Sequence, residues 1–307
     1  MPYGEIIMGA EPIAILCADI HLSHKPPVWR SAEPDWYEAM KRPLLELSAL
    51  QRQLNVPILC AGDIFDRWNA PAELINFALT YLPYNMHAIP GQHDLPNHNI
   101  EEINKSAFWT LVQTERIKEI SNGVIINNDL LFYGYPYNES IKREKNIKGY
   151  TQICLAHQYV WTKGASYQTV SLDSHIKKQR EVLQTYDVCV FGDNHIHFTT
   201  KLKNTPIWNC GSLMRRHSDQ IDYVPQLGIL YENKTILPYV LDISEDRYID
   251  VVDFGIDNAQ IDLSGFIKEL EKLGDSELNF IDAVKVYLRN KGVSKPVQKI
   301  LLGALER

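Results

Sequence analysis

Residues 56–67 of the chain, VPILCAGDIFDR, join a short apolar run to a cluster of charged side chains. Continuous apolar runs of about four to eight residues are typical of strands buried on both faces of a parallel sheet. Here the run ends at Gly62, and Asp63, Asp66 and Arg67 come after it. The stretch therefore predicts a buried strand with carboxylates at its carboxyl end.

The same pattern recurs at four other places in the chain. The apolar runs in IAILCADIH (residues 13–21) and NMHAIPGQHD (residues 85–94) each end in a mixture of acidic, amide or imidazole side chains. TQICLAHQ (residues 151–158) and DVCVFGDNHIH (residues 187–197) follow the same rule. Ligands of parallel sheets bind just outside the carboxyl ends of the strands. Because five isolated polar turns would be a poor explanation of this repetition, we expect these side chains to form one site.

Two segments with helical character separate the first three runs. They are DWYEAMKRPLLELSALQRQLN (residues 35–55) and APAELINFALTYLP (residues 70–83), and the second has Pro71 near its start, as helix N-termini favour. An alternation of strand and helix predicts an α/β fold with a largely parallel sheet covered by helices. Residues 121–138 are predicted to form a hairpin that turns at residues 127–129.

The last part of the chain has a different character. Residues 205–240 are predicted to form antiparallel strands that complete a second sheet. Residues 241–307 read as strand, helix, strand, helix, without metal-binding residue types at the strand ends. We therefore predict one large domain over residues 1–240 and a small α+β appendage over residues 241–307.

The overall composition is that of an ordinary globular protein, with 45% hydrophobic and 22% charged residues among 307. The formal net charge is −7, so a nucleic-acid partner would require local basic patches or metal ions. No apolar run approaches the roughly 18 residues of a membrane span. The apolar residues 13–18 lie between acidic residues, without a preceding basic region, so we expect a cytoplasmic protein that has no signal peptide and does not contact a membrane.

The five cysteines do not suggest a disulfide framework, because their number is odd and none forms a C-x-x-C pair. Each lies inside a short apolar run. We therefore expect small buried hydrophobic residues in tightly packed strands. They are Cys17, Cys60, Cys154, Cys189 and Cys210.

The polar clusters combine carboxylates, imidazoles and an amide, without a thiolate. This mixture suits Mn²⁺, Fe²⁺ or Zn²⁺ at a catalytic centre. There are too many ligands for one ion, so we expect two ions roughly 3.5–4 Å apart that share one carboxylate. Such a pair lowers the pKa of a water molecule between the ions and binds the oxygens of an in-line displacement at phosphorus. The candidate residues are Asp19, His21, Asp63, Gln92, His93, Asp94, His157, Asp193, His195 and His197.

The order of these motifs resembles that of the calcineurin-like metallophosphoesterases: D-x-H, G-D-x-x-D-R, G-N-H-D, a lone His and G-H-x-H. The corresponding residues are 19–21 (DIH), 62–67 (GDIFDR), 91–94 (GQHD), His157 and 192–195 (GDNH). The wording ADIHL, AGDIFD and NCGSL is most similar to the SbcD-type DNA-repair nuclease branch. The resemblance implies a four-layer αββα core, with two packed mixed sheets flanked by helices, and a small C-terminal α+β cap.

The resemblance also implies a role for each matching residue. One metal ion would be held by Asp19, His21 and His195. Asp63 would bridge to a second ion held by Gln92, His157 and Asp193. A hydroxide between the ions would attack phosphorus, and His93 would protonate the leaving oxygen while Asp94 orients the imidazole of His93. Asp66 and Arg67 stand where the family has a supporting pair, and for Arg67 a phosphate contact and a structural salt bridge both remain open.

The chain departs from the family pattern in two motifs. Gln92 replaces an asparagine and is one methylene longer, which puts the affinity of the second metal in doubt. The last motif has two registers. If Gly192 is the strand-ending glycine, the ligands are Asp193 and His195; a shift by two residues makes them His195 and His197. We favour the first register, because the apolar run reaches its natural end at Gly192.

The sequence thus predicts a two-metal phosphodiesterase, with a DNA nuclease as the favoured function. A small-molecule phosphatase or phosphodiesterase is one alternative, and a non-catalytic metal-binding scaffold is another. Mn²⁺ is the expected metal, with Fe²⁺, Zn²⁺ or Mg²⁺ as alternatives. Candidate contacts to a phosphate backbone, for which a solvated surface is an equal alternative, are Lys142, Arg143, Lys145, Lys148, Arg215 and Arg216.

The resemblance further implies DNA, a second copy of the chain and an SbcC-like ATPase as partners. The segment SKPVQKILLGALER (residues 294–307) has an apolar stripe at helical spacing, formed by Val297, Ile300, Leu301 and Leu305. The stripe permits a docking helix, but packing on the cap's own sheet explains it better.

Overall fold

Mixed sheets and flanking helices are the elements of the computed structural model, which describes residues 10–120, 124–126, 129–165 and 171–249. The strands of the described residues are β1 (Pro12–Cys17), β2 (Ile58–Cys60), β3 (Met86–Ala88), β4 (Ile117–Glu119), β5 (Val124–Ile126), β6 (Leu130–Tyr135), β7 (Thr151–His157), β8 (Val188–Gly192), β9 (Phe198–Leu202), β10 (Thr205–Asn209), β11 (Gln226–Tyr231) and β12 (Ile236–Val240). The α-helices in the same ranges are α1 (Trp36–Leu54), α2 (Ala72–Tyr81), α3 (Ala107–Gln113) and α4 (Arg180–Leu183).

The first sheet has the strand order β12-β11-β1-β2-β3-β4, and the second has the order β5-β6-β7-β8-β10-β9. In the first sheet β1, β2, β3 and β4 run parallel, and β11 and β12 pair antiparallel at one edge. In the second sheet β6, β7, β8 and β10 run parallel, and β5 and β9 are antiparallel edge strands. The predicted pairing of β5 with β6 is antiparallel, as in a hairpin. Residues 127 and 128 of its predicted turn lie outside the described residues.

The prediction for residues 205–240 is confirmed for the antiparallel β11–β12 hairpin, but it is wrong in placing all of these strands in the second sheet. β10 runs parallel to β8 in the second sheet, whereas β11 pairs with β1 and carries the β11–β12 hairpin into the first sheet. The apolar pattern of a strand reports that it is buried, but it does not report which neighbour supplies its hydrogen bonds. Only the hairpin tip at residues 232–234 was predictable from the local sequence.

The two sheets pack face to face, and helices cover their outer faces. Along β1, Ala14 and Leu16 point into the apolar layer between the sheets, while Ile15 and Cys17 face α1, α2 and α3. A further apolar cluster lies between the second sheet and α4. Each fully buried aliphatic or aromatic side chain contributes roughly 1.5–3 kcal/mol to folding. This arrangement has the four αββα layers that the resemblance implies, and all five cysteines are buried and unpaired.

The compact unit that contains both sheets extends to Tyr248. The α+β cap predicted for residues 241–307, including the stripe at residues 297–305, lies outside the described residues from residue 250 onward and stays a prediction. Among the described residues, none of the helices has the length and apolar character that a membrane crossing requires.

Candidate metal centre

The loops after strands of both sheets meet at one edge of the molecule. Asp19 and Asp63 follow β1 and β2 of the first sheet, while His157 ends β7 and Asp193 follows β8 of the second sheet. Backbone hydrogen bonds fasten the first two loops together, since the N–H of Asp19 donates to Gly62 and that of His21 to Asp63, each at 3.0 Å. The parallel strands thus deliver the predicted side chains to one place.

A first group of ligand atoms comes from Asp19, His21 and His195, which lie within 4.8 Å of one another. The two Nε2 atoms of the histidines are 3.0 Å apart. Each of these nitrogens is 3.8 Å from Oδ1 of Asp19. The three residues predicted to hold one metal ion therefore present their donor atoms to a common point.

A second group surrounds His157. Its Nε2 lies 2.9 Å from Oε1 of Gln92 and 3.3 Å from Oδ2 of Asp63. The amide nitrogen of Gln92 donates to Oδ1 of Asp193 at 3.0 Å. The longer side chain of Gln92 thus still places its carbonyl oxygen beside His157, so the replacement of asparagine preserves an oxygen donor at this position.

Asp63 lies between the two groups. Its Oδ2 is 3.7 Å from Nε2 of His21 and 3.3 Å from Nε2 of His157, while its Oδ1 accepts the backbone N–H of His93 at 2.9 Å. Oδ2 is buried and accepts no hydrogen bond from the described residues. A buried carboxylate oxygen without a donor is costly unless a cation compensates it. The donor set therefore fits a pair of divalent cations that share Asp63.

The electrostatics of the first group agree with this fit. Burial, together with the charge of neighbouring His195, holds the pKa of His21 well below its usual range, and burial lowers that of His195 to about 4. Both imidazoles are therefore neutral near pH 7, as metal ligands must be. Burial also raises the pKa of Asp19 well above its ordinary value, although the charge of His157 opposes it.

Backbone strain is concentrated at the same residues. Asp19, His21, Asp63 and Asp193 all adopt the left-handed conformation, with φ of 50°, 49°, 54° and 79°. Asp, Asn and His tolerate this region better than most residues, but each instance still costs on the order of 1 kcal/mol. The strain directs these side chains inward, which regular strand ends would not do.

His93 lies at the edge of the first group, with its ring centroid 5.0 Å from that of His21. Its Nδ1 donates to the carbonyl oxygen of Asp66 at 2.9 Å, so the backbone of Asp66 orients the imidazole. The expectation that Asp94 performs this role is wrong. The carboxylate of Asp94 accepts the backbone N–H groups of Ile64, Phe65 and Gly91 instead, at 3.0–3.2 Å.

The supporting pair predicted as Asp66 and Arg67 is also corrected. Asp66 forms an ion pair with Arg216, with Nη1 and Oδ1 2.7 Å apart, and its Oδ1 lies 3.7 Å from Nδ1 of His21. Arg67 is exposed, and no ion pair links it to another described residue. Arg215 and Arg216 are buried, so neither is the exposed phosphate contact considered above. This ion pair was not predictable from the sequence, because residues 66 and 216 are far apart along the chain and no local pattern connects them.

The last motif takes the first of its two registers. Asp193 contacts Gln92 and His195 contacts His21, whereas Nδ1 of His197 donates to the carbonyl oxygen of Asn209 at 2.7 Å, and its ring packs on Trp208. Asn194 is fully buried and donates to two carbonyl oxygens, which fixes the loop between its neighbours. The roles of Asn194 and Asn209 were not predicted from the sequence, because no local sequence pattern marks a buried amide.

The chain is similar to known proteins in its sequence and in its fold. A sequence profile described as calcineurin-like phosphoesterase matches residues 14–197. No curated protein sequence matches the chain. An archaeal phosphodiesterase shares 15% identity at a TM-score of 0.40, covering 74% of this chain and 99% of its own.

Two further solved structures are similar to the chain. The sulfate thiohydrolase SoxB of Thermus thermophilus shares 11% identity at a TM-score of 0.47, over 82% of this chain and 59% of its own. Vps29 of Entamoeba histolytica, in a single mutant, shares 16% identity at a TM-score of 0.36, over 77% of this chain and 98% of its own. The match of the family profile covers more than half of the chain and contains all five motifs, and on that basis the chain belongs to the calcineurin-like phosphoesterase family.

Proposed function

We propose that this member of a family of phosphate-ester hydrolases is a two-metal phosphodiesterase that cleaves DNA. The observation that carries the proposal is the position of Asp63, whose buried Oδ2 lies between the two ligand groups without a hydrogen-bond donor. Proteins of this family typically bind two divalent metal ions, and the two groups supply a ligand set for each.

The residues of the chain divide the chemistry between them. Asp19, His21 and His195 would hold one ion, Gln92, His157 and Asp193 the other, and Asp63 would contact both. When bound, two such ions acidify a water molecule and stabilise the negative charge that develops on phosphate oxygens. In its doubly protonated form His93 would keep the Nδ1 proton hydrogen-bonded to the carbonyl oxygen of Asp66 and would deliver the Nε2 proton to the departing oxygen.

A basic segment runs from the site toward the amino end of β7, where the carbonyl oxygen of Lys145 accepts from the side chain of Gln152. The segment of residues 139–150 is largely exposed and contains Lys142, Arg143, Lys145 and Lys148. Lys142 and Arg143 form exposed ion pairs with Glu139 and Glu181, at 3.2 Å each. Exposed pairs of this kind contribute only about 0–1 kcal/mol, so a phosphate backbone can replace the carboxylates at little cost. The choice of DNA over a small phosphate ester therefore rests on the SbcD-like motifs, and this segment is a candidate surface for the part of a long polyanion that extends beyond the site.

DNA, a second copy of the chain and an SbcC-like ATPase are the partners that this proposal includes, and Mn²⁺ is the proposed metal. These choices rest on the resemblance of the motifs. Mixed carboxylate, amide and imidazole donors without sulfur suit Mn²⁺ well, but they also accept Fe²⁺, Zn²⁺ and Mg²⁺.

The test is an assay of purified protein with Mn²⁺ against labelled single- and double-stranded DNA, bis(p-nitrophenyl) phosphate and p-nitrophenyl phosphate. We expect cleavage of DNA and of the chromogenic diester, with activity abolished in Asp63→Asn and unchanged in the exposed control Asp129→Asn. Turnover of the monoester alone would identify a phosphatase and contradict the proposal. Metal binding without turnover of any ester would indicate a scaffold.

A further inference from the structure

A pocket of about 230 Å³ adjoins the second ligand group. His157 and Asp193 form the wall that it shares with the candidate metal centre, and Tyr137, Asn138, Gln158 and Tyr159 are among the residues on its other sides. These four residues lie outside the five motifs that resemble the family. The pocket lies beside the place where the metal centre would hold a scissile phosphate, so whatever enters it is attached to that phosphate.

The size of the pocket restricts its occupant. Pockets that enclose a whole drug-sized ligand measure roughly 300–1,000 Å³, and this pocket is smaller. It is also open on one side, as the exposed Asn138 on its rim shows. Its volume suits one ring system with its sugar, while the rest of a longer substrate continues outside.

The charges of the pocket select against a second phosphate. The lining residues contain no lysine or arginine, and Glu139 and Asp193 are the acidic members. A phosphate group would meet these carboxylates without a compensating cation from the pocket wall, whereas an uncharged base would not be repelled. The occupant is therefore the neutral side of a phosphodiester.

The chemistry of the lining fits a nucleobase. Two tyrosines supply aromatic surface, and Tyr137 is held edge-to-face against His98, with ring centroids 5.6 Å apart. Gln158 has a buried Oε1 that accepts no hydrogen bond from the described residues. An unsatisfied buried acceptor destabilises the protein by itself, which favours rotation of the Gln158 side chain toward an amino or imino N–H of a base in the pocket.

We propose that this pocket receives the base of the nucleotide whose phosphate is cleaved, and that the substrate is therefore an unpaired nucleotide. A base inside a duplex is stacked and paired, so it must leave the helix before it can enter a side pocket. Single strands and frayed ends meet this requirement without cost. The inference rests on the proposed phosphodiesterase function and adds to it a base-binding subsite and a strand preference.

Binding measurements test the pocket separately from catalysis. Calorimetry on the Mn²⁺-loaded full chain would compare thymidine 5′-monophosphate with methyl phosphate, which has no base. We expect the nucleotide to bind at least about tenfold more tightly, because stacking of a base on an aromatic side chain contributes about fivefold to hundredfold in affinity. Tyr137→Ala should remove this advantage without changing the affinity for methyl phosphate, and Tyr137→Phe should keep it.

Two further variants control for folding and for the hydrogen bond. Tyr84→Ala alters a tyrosine that is 75% exposed and outside the pocket, so it should leave both affinities unchanged. Gln158→Met removes the unsatisfied acceptor and should raise the melting temperature while it weakens nucleotide binding. Equal affinity of the two ligands for the wild-type protein would overturn the inference. An equal loss for both ligands in Tyr137→Ala would also overturn it.

Hydrolysis of bis(p-nitrophenyl) phosphate separates this inference from the proposed function. If the diester is hydrolysed but the nucleotide has no binding advantage, the base pocket is wrong and the phosphodiesterase proposal stands. If the binding advantage is present without hydrolysis of any diester, the pocket stands as a nucleotide site and the proposed function is wrong.

Discussion

His93 and Asp94 are neighbours in the sequence, yet they serve different parts of the molecule. His93 is half-buried beside His21, with its ring oriented by a carbonyl oxygen. Asp94 is fully buried, and its carboxylate ties together the turns that follow β2 and β3 through three backbone N–H groups. A local motif gives the residue types of a site, but the hydrogen-bond partners depend on how distant loops pack.

The different surroundings of these two residues predict different effects of mutation. A ring nitrogen of His93 lies within 4.8 Å of ligand atoms of His21 and Asp63, but both ligand groups are complete without it. We therefore expect His93→Ala to retain both metal ions and the fold, while kcat falls by about 10²–10⁴. Metal analysis and steady-state kinetics on a phosphodiester measure the two effects. His24→Ala, at an exposed histidine, is the matched control and should keep full activity. Loss of metal from His93→Ala would show that His93 is a ligand.

Metal binding requires Asp19 to be ionised, whereas the metal-free fold is more stable when this buried carboxyl group is protonated. Because burial raises its pKa above the ordinary value of 3.8, the folded protein holds this proton to higher pH than the unfolded chain does. In the metal-free protein, the contribution of protonated Asp19 to the free energy of unfolding is thus lost as the pH rises from 3.8 through the higher pKa of the folded state. Asp19→Asn in the presence of a chelator should raise the free energy of unfolding at pH 7 by on the order of 1 kcal/mol, and by less at pH 5, with a corresponding rise in melting temperature.

A fall in the melting temperature of Asp19→Asn would identify a different role for the charge of Asp19. Asn can still accept the N–H of Asp193, so a lower melting temperature of metal-free Asp19→Asn would mean that the charge itself stabilises the fold. The added stability from Mn²⁺ should be smaller in this variant than in the wild type, because binding to the folded state is weakened.

At the scale of elements, the site depends on how closely the loops approach one another. A Cβ on Gly91 would lie 2.1 Å from Oδ1 of Asp63, although the φ of Gly91, −93°, is available to any residue. The lack of room for a Cβ, and not the backbone conformation, therefore requires glycine at this position. Gly91→Ala should displace Asp63, weaken metal binding and cost about 1–3 kcal/mol of stability.

Gly149→Ala is the matched control for this change. Gly149 has a φ of +93° and open space around its Cα, so its substitution costs conformational energy without a steric clash. Titration with Mn²⁺ should show weaker binding for Gly91→Ala only. Equal metal affinities in the two variants would contradict the steric argument.

Elements were also predictable to different degrees. The strands β1, β2, β3, β7 and β8 and the helices α1 and α2 follow from continuous apolar runs and helical spacing, and their order brings the polar ends together. The pairing of β10 with β8 and of β11 with β1 did not follow, because a buried strand carries the same local pattern in either sheet. The left-handed residues at the strand ends were likewise invisible, since they are set by the packing of both sheets.

At the scale of the whole molecule, a buried ion-pair cluster fastens the end of the compact unit to its beginning. Asp246 accepts from Arg30 at 2.7 Å, from Arg215 at 3.0 Å and from Arg42 at 3.2 Å. Arg30 is only 2% exposed. This cluster was not predictable from the sequence, because Arg30 and Arg42 lie 216 and 204 residues before Asp246 and no local pattern connects them.

Removal of one partner should therefore be costly. Asp246→Ala leaves two buried guanidinium groups with fewer acceptors, which typically destabilises a protein by about 3 kcal/mol. Chemical denaturation would measure the loss, with the exposed Asp222→Ala as the matched control. A difference between the variants below about 0.5 kcal/mol would show that solvent compensates the arginines.

The central claim concerns the pair of metal ions that share Asp63, and the number of ions bound to the chain tests it most directly. Equilibrium dialysis against Mn²⁺, followed by metal analysis, should find two ions per wild-type chain. Asp63→Asn should bind fewer than two at the same free Mn²⁺ concentration, since both ligand groups lose their common carboxylate. One ion or none in the wild-type protein, or two ions held with unchanged affinity by Asp63→Asn, would contradict the account.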